Sequence, residues 1–180
     1  DVGPSDHPWY GGRVGTYGGP GRNFGVQNCD LLLAIGCRLS GRITGGAPAT
    51  FARGAKRYVV DIDEGLLDPR TQQQPFHINI HADATVFMRE LEAAHRRRTI
   101  AGGFDIFGER SSWFEQVKHW EIKYDPVLAV PISDDAHPYR FVRELSRLLP
   151  PNAVIVTDCG GNVVTMNHAF ETKTGQRYFS

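Results

Sequence analysis

The sequence predicts an α/β protein built on parallel strands, and three observations carry that expectation. Short apolar runs stand at Leu31–Ile35, Tyr58–Ile62, Phe76–Ile80 and Ala153–Thr157, each bounded by polar or glycine breaks, the pattern of strands covered on both faces of a parallel sheet. Segments with helical apolar spacing alternate with these runs instead of gathering at one end of the chain, which is the α/β arrangement. Glycines close two of the runs, at Gly36 and at Gly160-Gly161, the place where open α/β sheets present their ligand-binding turns.

The elements follow in chain order. Of 20 glycines, 12 lie within the first 50 residues, and Gly12, Gly15, Gly18 and Gly21 recur every third position for four steps. That run is too short and irregular for a collagen helix. It reads as a loop, either a series of tight turns or a backbone surface moulded to a ligand, with a short helix after it. Leu31–Ile35 is the first strand and ends at Gly36. Tyr58–Ile62 and Phe76–Ile80 come next. Asp83 is placed to cap a helix in which Phe87, Leu91 and Ala94 repeat on one face, closing on the basic run His95–Arg98, as the helix dipole favours.

Residues 99–136 change character, with Gly102-Gly103, a short helix over Ser112–Tyr124 carrying Trp113, Val117 and Trp120, and the prolines Pro126 and Pro131; they read as a linker. Pro138, Phe141, Val142, Leu145, Leu148 and Leu149 then mark one helical face, stopped by Pro150-Pro151. The strand Ala153–Thr157 runs into Asp158-Cys159-Gly160-Gly161-Asn162 and a helix from Val163 to Phe170.

Composition removes several function classes. The 180 residues carry 20 basic and 20 acidic side chains and no net charge, so the clustered positive excess that nucleic acid or an anionic membrane requires is absent. The longest apolar run, Leu31–Ile35, is five residues, against roughly 20 for a bilayer span. Cys29, Cys37 and Cys159 form neither a C-x-x-C pair nor a disulfide framework, and the expected setting is reducing and cytoplasmic. The opening Asp1-Val2-Gly3-Pro4 lacks an initiator Met and a signal peptide, so the chain is expected to be a segment of a longer protein.

The most informative chemical feature is the strand, Gly-Gly, helix step over Thr157–Val164. Unpaired N–H groups and a partial positive charge at a helix N-terminus cradle a diphosphate when glycine lets it approach; Asn162 adds a side-chain donor. The alternative is an ordinary tight turn capped by Asp158 or Asn162. Gly36–Arg42 lies beyond a strand's carboxyl end, where Arg38 and Arg42 either pair with phosphates or make salt bridges to Asp61 or Asp63. Asp61 and Asp63 either take a ribose hydroxyl or cap the next turn. No G-x-G-x-x-G occurs in the first glycine loop. His77 and His81 lack the further ligands of a transition-metal site, no metal ligand is expected in this chain, and Cys159 lacks a catalytic histidine.

Taken in order, these segments resemble the thiamine diphosphate-dependent enzymes of the acetolactate synthase type. The resemblance rests on His7-Pro8, Gly15-Thr16-Tyr17-Gly18, Asn28 through Arg38, Arg42-Ile43-Thr44-Gly45, Ala55-Lys56-Arg57 through Asp61-Ile62-Asp63, Ala82-Asp83, Trp113 to Trp120, Pro138 through Leu145, and Ile155 through Gly160. It implies a partial central Rossmann-like domain over 1–98, a linker over 99–136 and the start of a diphosphate-binding α/β domain over 137–180. Thiamine diphosphate and Mg2+ are the implied cofactors, with Cys159, Gly160, Gly161 and Asn162 meeting the diphosphate.

The family's central domain also accommodates a flavin in some members and none in others, and both alternatives stay open for FAD here. The matching positions are Gly15, Tyr17, Gly18, Gly36, Arg38, Arg42, Asp61, Ile62 and Asp83. Two departures stand out: Gly161-Asn162 replaces a usual Gln-His, and Ser40-Gly41 replaces a usual Asp-Asp. The implied activity is decarboxylation of a 2-oxo acid such as pyruvate and joining of the remainder to a second carbonyl, with the cofactor carrying the carbanion chemistry. A homodimer or homotetramer is implied. The activating glutamate and the magnesium-holding motif are expected outside these residues, which by themselves are expected to be inactive. The competing class is a non-catalytic nucleotide-binding or subunit-assembly module with the same fold.

Overall fold

The computed structural model describes residues 3–70, 72, 76–102, 112–131, 133 and 136–180. Of the expected linker, Gly103 and residues 104–111, 132, 134 and 135 lie outside them. In chain order the elements are α1 (Pro20–Asn28), β1 (Leu31–Ile35), α2 (Gly41–Thr44), a 3-10 turn (Pro48–Thr50), β2 (Lys56–Asp61), α3 (Glu64–Leu67), β3 (Ile78–His81), α4 (Ala84–Ile100), α5 (Ser112–Lys123), α6 (Pro138–Leu148), β4 (Val154–Val156), α7 (Gly161–Ala169) and β5 (Arg177–Phe179). They pack as two compact units, residues 26–115 and residues 1–25 with 116–180. The fold class is α/β, as the alternating pattern requires.

In the first unit β1, β2 and β3 form a parallel sheet in that order, in a register that pairs Ile35 with Val60 and Asp61 with His81. Parallel neighbours cannot be joined by tight hairpins, which is why α2, the 3-10 turn and α3 fill the crossovers. The central strand is buried on both faces, with Val59 and Val60 fully inaccessible, whereas Leu31 and Ile78 on its neighbours are 59% and 46% exposed. Burial on both faces, expected of every strand, therefore holds among the described strands for the central one, on which α3 and α4 pack. Ala34, Val59 and Leu67 form one core cluster, and Phe51, Ala52 and Ala55 form another against Val26, Leu32 and Ile43.

The helix α4 begins at its expected cap, Asp83, whose carboxylate accepts from the N–H groups of Thr85 and Val86 at 2.8 and 3.1 Å. Such a cap contributes about 1 kcal/mol. Its apolar face is less buried than the spacing suggests, since Phe87 is half-buried and Leu91 and Ala94 are exposed.

In the second unit β4 pairs with β5 in parallel, Ile155 opposite Tyr178. Ile155, Val142, Ala169, Phe170 and Tyr178 form its core. The buried side of α6 is rotated from the expected one: Val142 and Ser146 are buried, while Phe141 and Leu148 are 62% and 82% exposed. The buried hydroxyl of Ser146 is satisfied by donating to the Arg143 carbonyl at 2.7 Å, so a polar residue sits there without cost. Phe24 meets Trp120 and Tyr124 edge to face, at 5.9 and 5.3 Å between ring centres. That approach needs Gly21, where a Cβ would lie 2.2 Å from the Trp120 carbonyl oxygen.

Candidate functional site

The carboxyl edge of the three-stranded sheet collects four of the expected positions. Register sets Gly36 beside the end of β2, and its N–H donates to the Val60 carbonyl at 2.8 Å. Asp61 and Ile62 follow on β2, and Asp83 lies two residues past β3. Gly36 has φ +57, a left-handed conformation that favours glycine. The carboxylates do turn-building work: Asp61 accepts from the Asp63 N–H at 3.0 Å, Asp63 caps α3 through Gly65 N–H at 2.9 Å, and Asp83 caps α4. For Asp61 and Asp63 the capping alternative is thus the observed one, while the 67% exposed Ile62 leaves the edge open beside them.

Arg38 and Arg42 are brought together elsewhere on the same unit. They line a cavity of about 740 Å³ with Arg57, Asp63 and Phe76, within the roughly 300–1,000 Å³ of small-molecule sites. Between the two arginines, Leu39 holds φ +47, a conformation that a side chain other than glycine rarely adopts. Arg57 is the residue the sequence did not disclose. Among the described residues its Nε and Nη1 are buried without a hydrogen-bond partner, although a buried guanidinium ordinarily finds an acceptor. A run reading Lys56-Arg57 at the start of a strand looks like a solvated end, and only packing reveals the orphaned donors. Three guanidinium groups around one cavity, one of them unsatisfied, fit an anionic group such as a nucleotide phosphate. Gly36, Asp61, Ile62 and Asp83 do not line this cavity.

Gly15, Tyr17 and Gly18 belong to the other unit, and the loop there is held by a side chain of α1 together with its own backbone. Asn23 clasps it, accepting from Gly15 N–H at 2.8 Å and donating to Gly15 O at 3.0 Å, and Gly18 N–H donates to Gly15 O at 2.9 Å. A Cβ on Gly18 would lie 2.4 Å from the Arg13 carbonyl oxygen, so that glycine is required by the turn itself.

The second candidate centre is the step from β4 to α7. The cap of α7 is Gly160, with φ +88 and ψ −146 and no side chain bonded across the helix end. Neither Asp158 nor Asn162 takes that position, contrary to the ordinary-turn alternative: the Asp158 carboxylate accepts from Cys159 N–H at 2.7 Å instead. Helix geometry leaves the first N–H groups of α7 without intrahelical acceptors. A Cβ on Gly160 or on Gly161 would meet no atom of the described residues within 4 Å, so these glycines answer no packing demand among them. Cys159, Gly160, Gly161 and Asn162 are all exposed. An uncapped helix end facing open space fits an anion of diphosphate size.

Among the described residues no group of three or more His, Cys, Asp or Glu is arranged to hold a metal ion. His77 and His81 are spent on local structure, His77 accepting from Arg57 N–H at 3.0 Å and His81 lying 3.1 Å from the Ile62 carbonyl and 3.4 Å from the Glu64 carboxylate. No helix among the described residues is long and apolar enough to cross a membrane.

Comparison with known proteins agrees with this architecture. Residues 1–91 match the family model for the thiamine pyrophosphate enzyme central domain. A probable acetolactate synthase large subunit of Methanocaldococcus jannaschii is 33% identical, with 98% of this chain and 29% of that protein aligned. Acetolactate synthase isozyme 2 large subunit of Escherichia coli is 28% identical over 87% of this chain and 25% of its own length. The chloroplastic acetolactate synthase 1 of Zea mays is 28% identical over 98% and 26%. The chain thus spans less than a third of the length of these relatives. With a parallel α/β sheet, a glycine turn at its carboxyl edge and a family match over half its residues, the chain belongs to the thiamine pyrophosphate enzymes, with its likeness to those of the acetolactate synthase type.

Proposed function

We propose that this chain contributes the diphosphate-binding turn of a thiamine diphosphate-dependent carboligase or decarboxylase acting on 2-oxo acids such as pyruvate. The observation that carries the reading is the uncapped N-terminus of α7, entered through Gly160 at φ +88 and facing open space. Under this reading Gly160 turns the backbone so that the N–H groups opening α7 converge on the phosphate oxygens. Asn162 adds an amide donor, and Cys159 and Gly161 supply backbone at close approach. The charge-assisted bonds so formed are about twice as strong as neutral ones. Thiamine diphosphate, when bound with Mg2+, supplies the carbanion chemistry. The residues named here hold and orient it; none of them is assigned a proton transfer.

The reading extends to a cytoplasmic homodimer or homotetramer without nucleic-acid or membrane partners. Light scattering of the full-length protein tests the assembly; a monomer at micromolar concentration contradicts it. The functional test is calorimetric titration of the full-length protein with thiamine diphosphate and Mg2+, joined to an assay of carbon dioxide release from pyruvate. Saturable binding with turnover supports the proposal, and neither binding nor turnover overturns it.

A second reading, a nucleotide-binding or assembly module without carboligase chemistry, draws support from the Arg38, Arg42 and Arg57 cavity. Of the positions the family resemblance implies for FAD in a catalytic parent, Arg38 and Arg42 line this cavity. Adenine nucleotide or FAD binding without thiamine diphosphate binding selects the module.

A further inference from the structure

The two ends of α7 are built in opposite ways, and the closed end carries a consequence for the open one. Where Gly160 leaves the N-terminus uncapped, the C-terminal carbonyls are met by three guanidinium groups from three separate segments. Arg13, in the N-terminal glycine loop, donates from Nη1 to the Phe170 carbonyl at 2.9 Å and reaches the Asn167 carbonyl at 3.5 Å. Arg22, on α1, reaches the same Asn167 carbonyl at 3.5 Å. Arg143, on α6, donates from Nε to the Ala169 carbonyl at 2.8 Å.

Each guanidinium is itself fixed. Arg13 lies over the Tyr178 ring at 4.5 Å, Arg22 pairs with Glu121 at 3.2 Å, and Arg143 pairs with Asp125 at 3.1 Å and Glu171 at 3.0 Å. All of these residues belong to one compact unit.

We infer that Arg13, Arg22 and Arg143 are positioning residues that fix α7 along its axis and thereby place the Gly160–Asn162 turn for a diphosphate; the inference rests on the function proposed above. A helix of nine residues spans about 13 Å at roughly 1.5 Å per residue, and it transmits a shift at one end to the other. Ordinary helix ends are satisfied by a glycine motif or by water, neither of which anchors the helix to its surroundings.

The open end of α7 lies about 13 Å from the three guanidinium groups along the helix, and carboxylates offset two of the three cations, Glu121 beside Arg22 and Asp125 with Glu171 beside Arg143. Their effect is geometric, so it falls on the phosphate end of a ligand and spares the rest.

The test uses the full-length protein, wild type and Arg13→Met, titrated with thiamine diphosphate plus Mg2+ and separately with unphosphorylated thiamine. The expected result is about a tenfold rise in the Kd for the diphosphate, with the Kd for thiamine unchanged, and recovery of most of that loss in Arg13→Lys. Equal affinities in Arg13→Met and wild type, or equal losses for both ligands, overturn the inference while leaving the proposed function standing. A wild-type protein that does not discriminate diphosphate from thiamine overturns the function and the inference with it. Should Arg13→Met lose its cooperative thermal transition, Arg22→Gln takes its place, since its bond to Asn167 is longer. About a threefold loss confined to the diphosphate is then expected, and no loss overturns the inference.

Discussion

The turn after β1 and the turn after β4 both pass from a parallel strand through a positive-φ glycine into a helix, yet they are built for different ends. At Gly36 the backbone is tied into the sheet: its N–H bonds Val60, and a Cβ there would lie at an ordinary 3.8 Å from Ala84. The chain then continues as a loop into the four-residue α2, too short to sum an appreciable dipole. At Gly160 no side chain among the described residues caps the helix, none of their atoms lies within 4 Å of either glycine's Cβ position, and the nine-residue α7 begins at once. The same residue type therefore serves internal geometry in one unit and external access in the other. A strand-glycine step acquires binding character from the segment next in the chain: a helix long enough to align its N–H groups, with nothing to cap them.

The largest effect that sharpens this contrast is Gly160→Ala. Its φ and ψ lie near a region that side-chain-bearing residues almost never occupy, at a cost of about 1–3 kcal/mol, and relief of the strain moves the N–H groups that the proposed function uses. Thiamine diphosphate affinity of the full-length protein should fall at least about tenfold, roughly 1.4 kcal/mol, as read by calorimetry. Gly36→Ala comes next: strain in the left-handed region costs about 1 kcal/mol of stability, measurable by urea unfolding, with thiamine diphosphate affinity unchanged. Should Gly36→Ala weaken the cofactor as much as Gly160→Ala, the division of labour between the two turns is broken.

Asp83→Ala removes a cap whose carboxylate accepts from two N–H groups, and is expected to cost about 1 kcal/mol without altering the Gly160 turn. The smallest effect is on pH dependence. Burial, reinforced by Arg22, lowers the His168 pKa, with the Gly18 carbonyl opposing. The folded state then binds fewer protons than the unfolded chain, so this contribution is fully present above the ordinary histidine range. It is lost as pH falls through the ordinary value of about 6.5 toward the lowered one. His168→Gln should flatten that acid limb in thermal melts taken from pH 7 to 5; an unchanged slope contradicts it.

Legibility in the sequence followed length and local chemistry. The five apolar residues of β1 end at Gly36 as the pattern requires, and Asp83 caps α4 because a carboxylate before a helix has one obvious use. Phe76 and His77 lie outside β3, which starts at Ile78, since the apolar ring of Phe76 serves a core cluster instead. The four-residue α2 and α3 are shorter than any helical period can register. Arg177-Tyr178-Phe179 alternates over only three positions, yet it forms β5 because β4 offers it an open edge. At the candidate sites the glycines were readable as residues with unusual conformational freedom. Their surroundings were not, because an uncapped helix end at Gly160, an orphaned Arg57 and three arginines meeting on α7 are products of packing between distant segments.

The most direct test of the central claim compares thiamine diphosphate with thiamine in calorimetric titrations of the full-length wild-type protein and Gly160→Ala, with Mg2+ present. The wild-type protein should bind the diphosphate at least about a hundredfold more tightly than thiamine, roughly 2.7 kcal/mol, and Gly160→Ala should lose most of that preference. Equal binding of the two ligands by the wild-type protein, or full retention of the preference in Gly160→Ala, would contradict the claim that the open end of α7 holds a diphosphate.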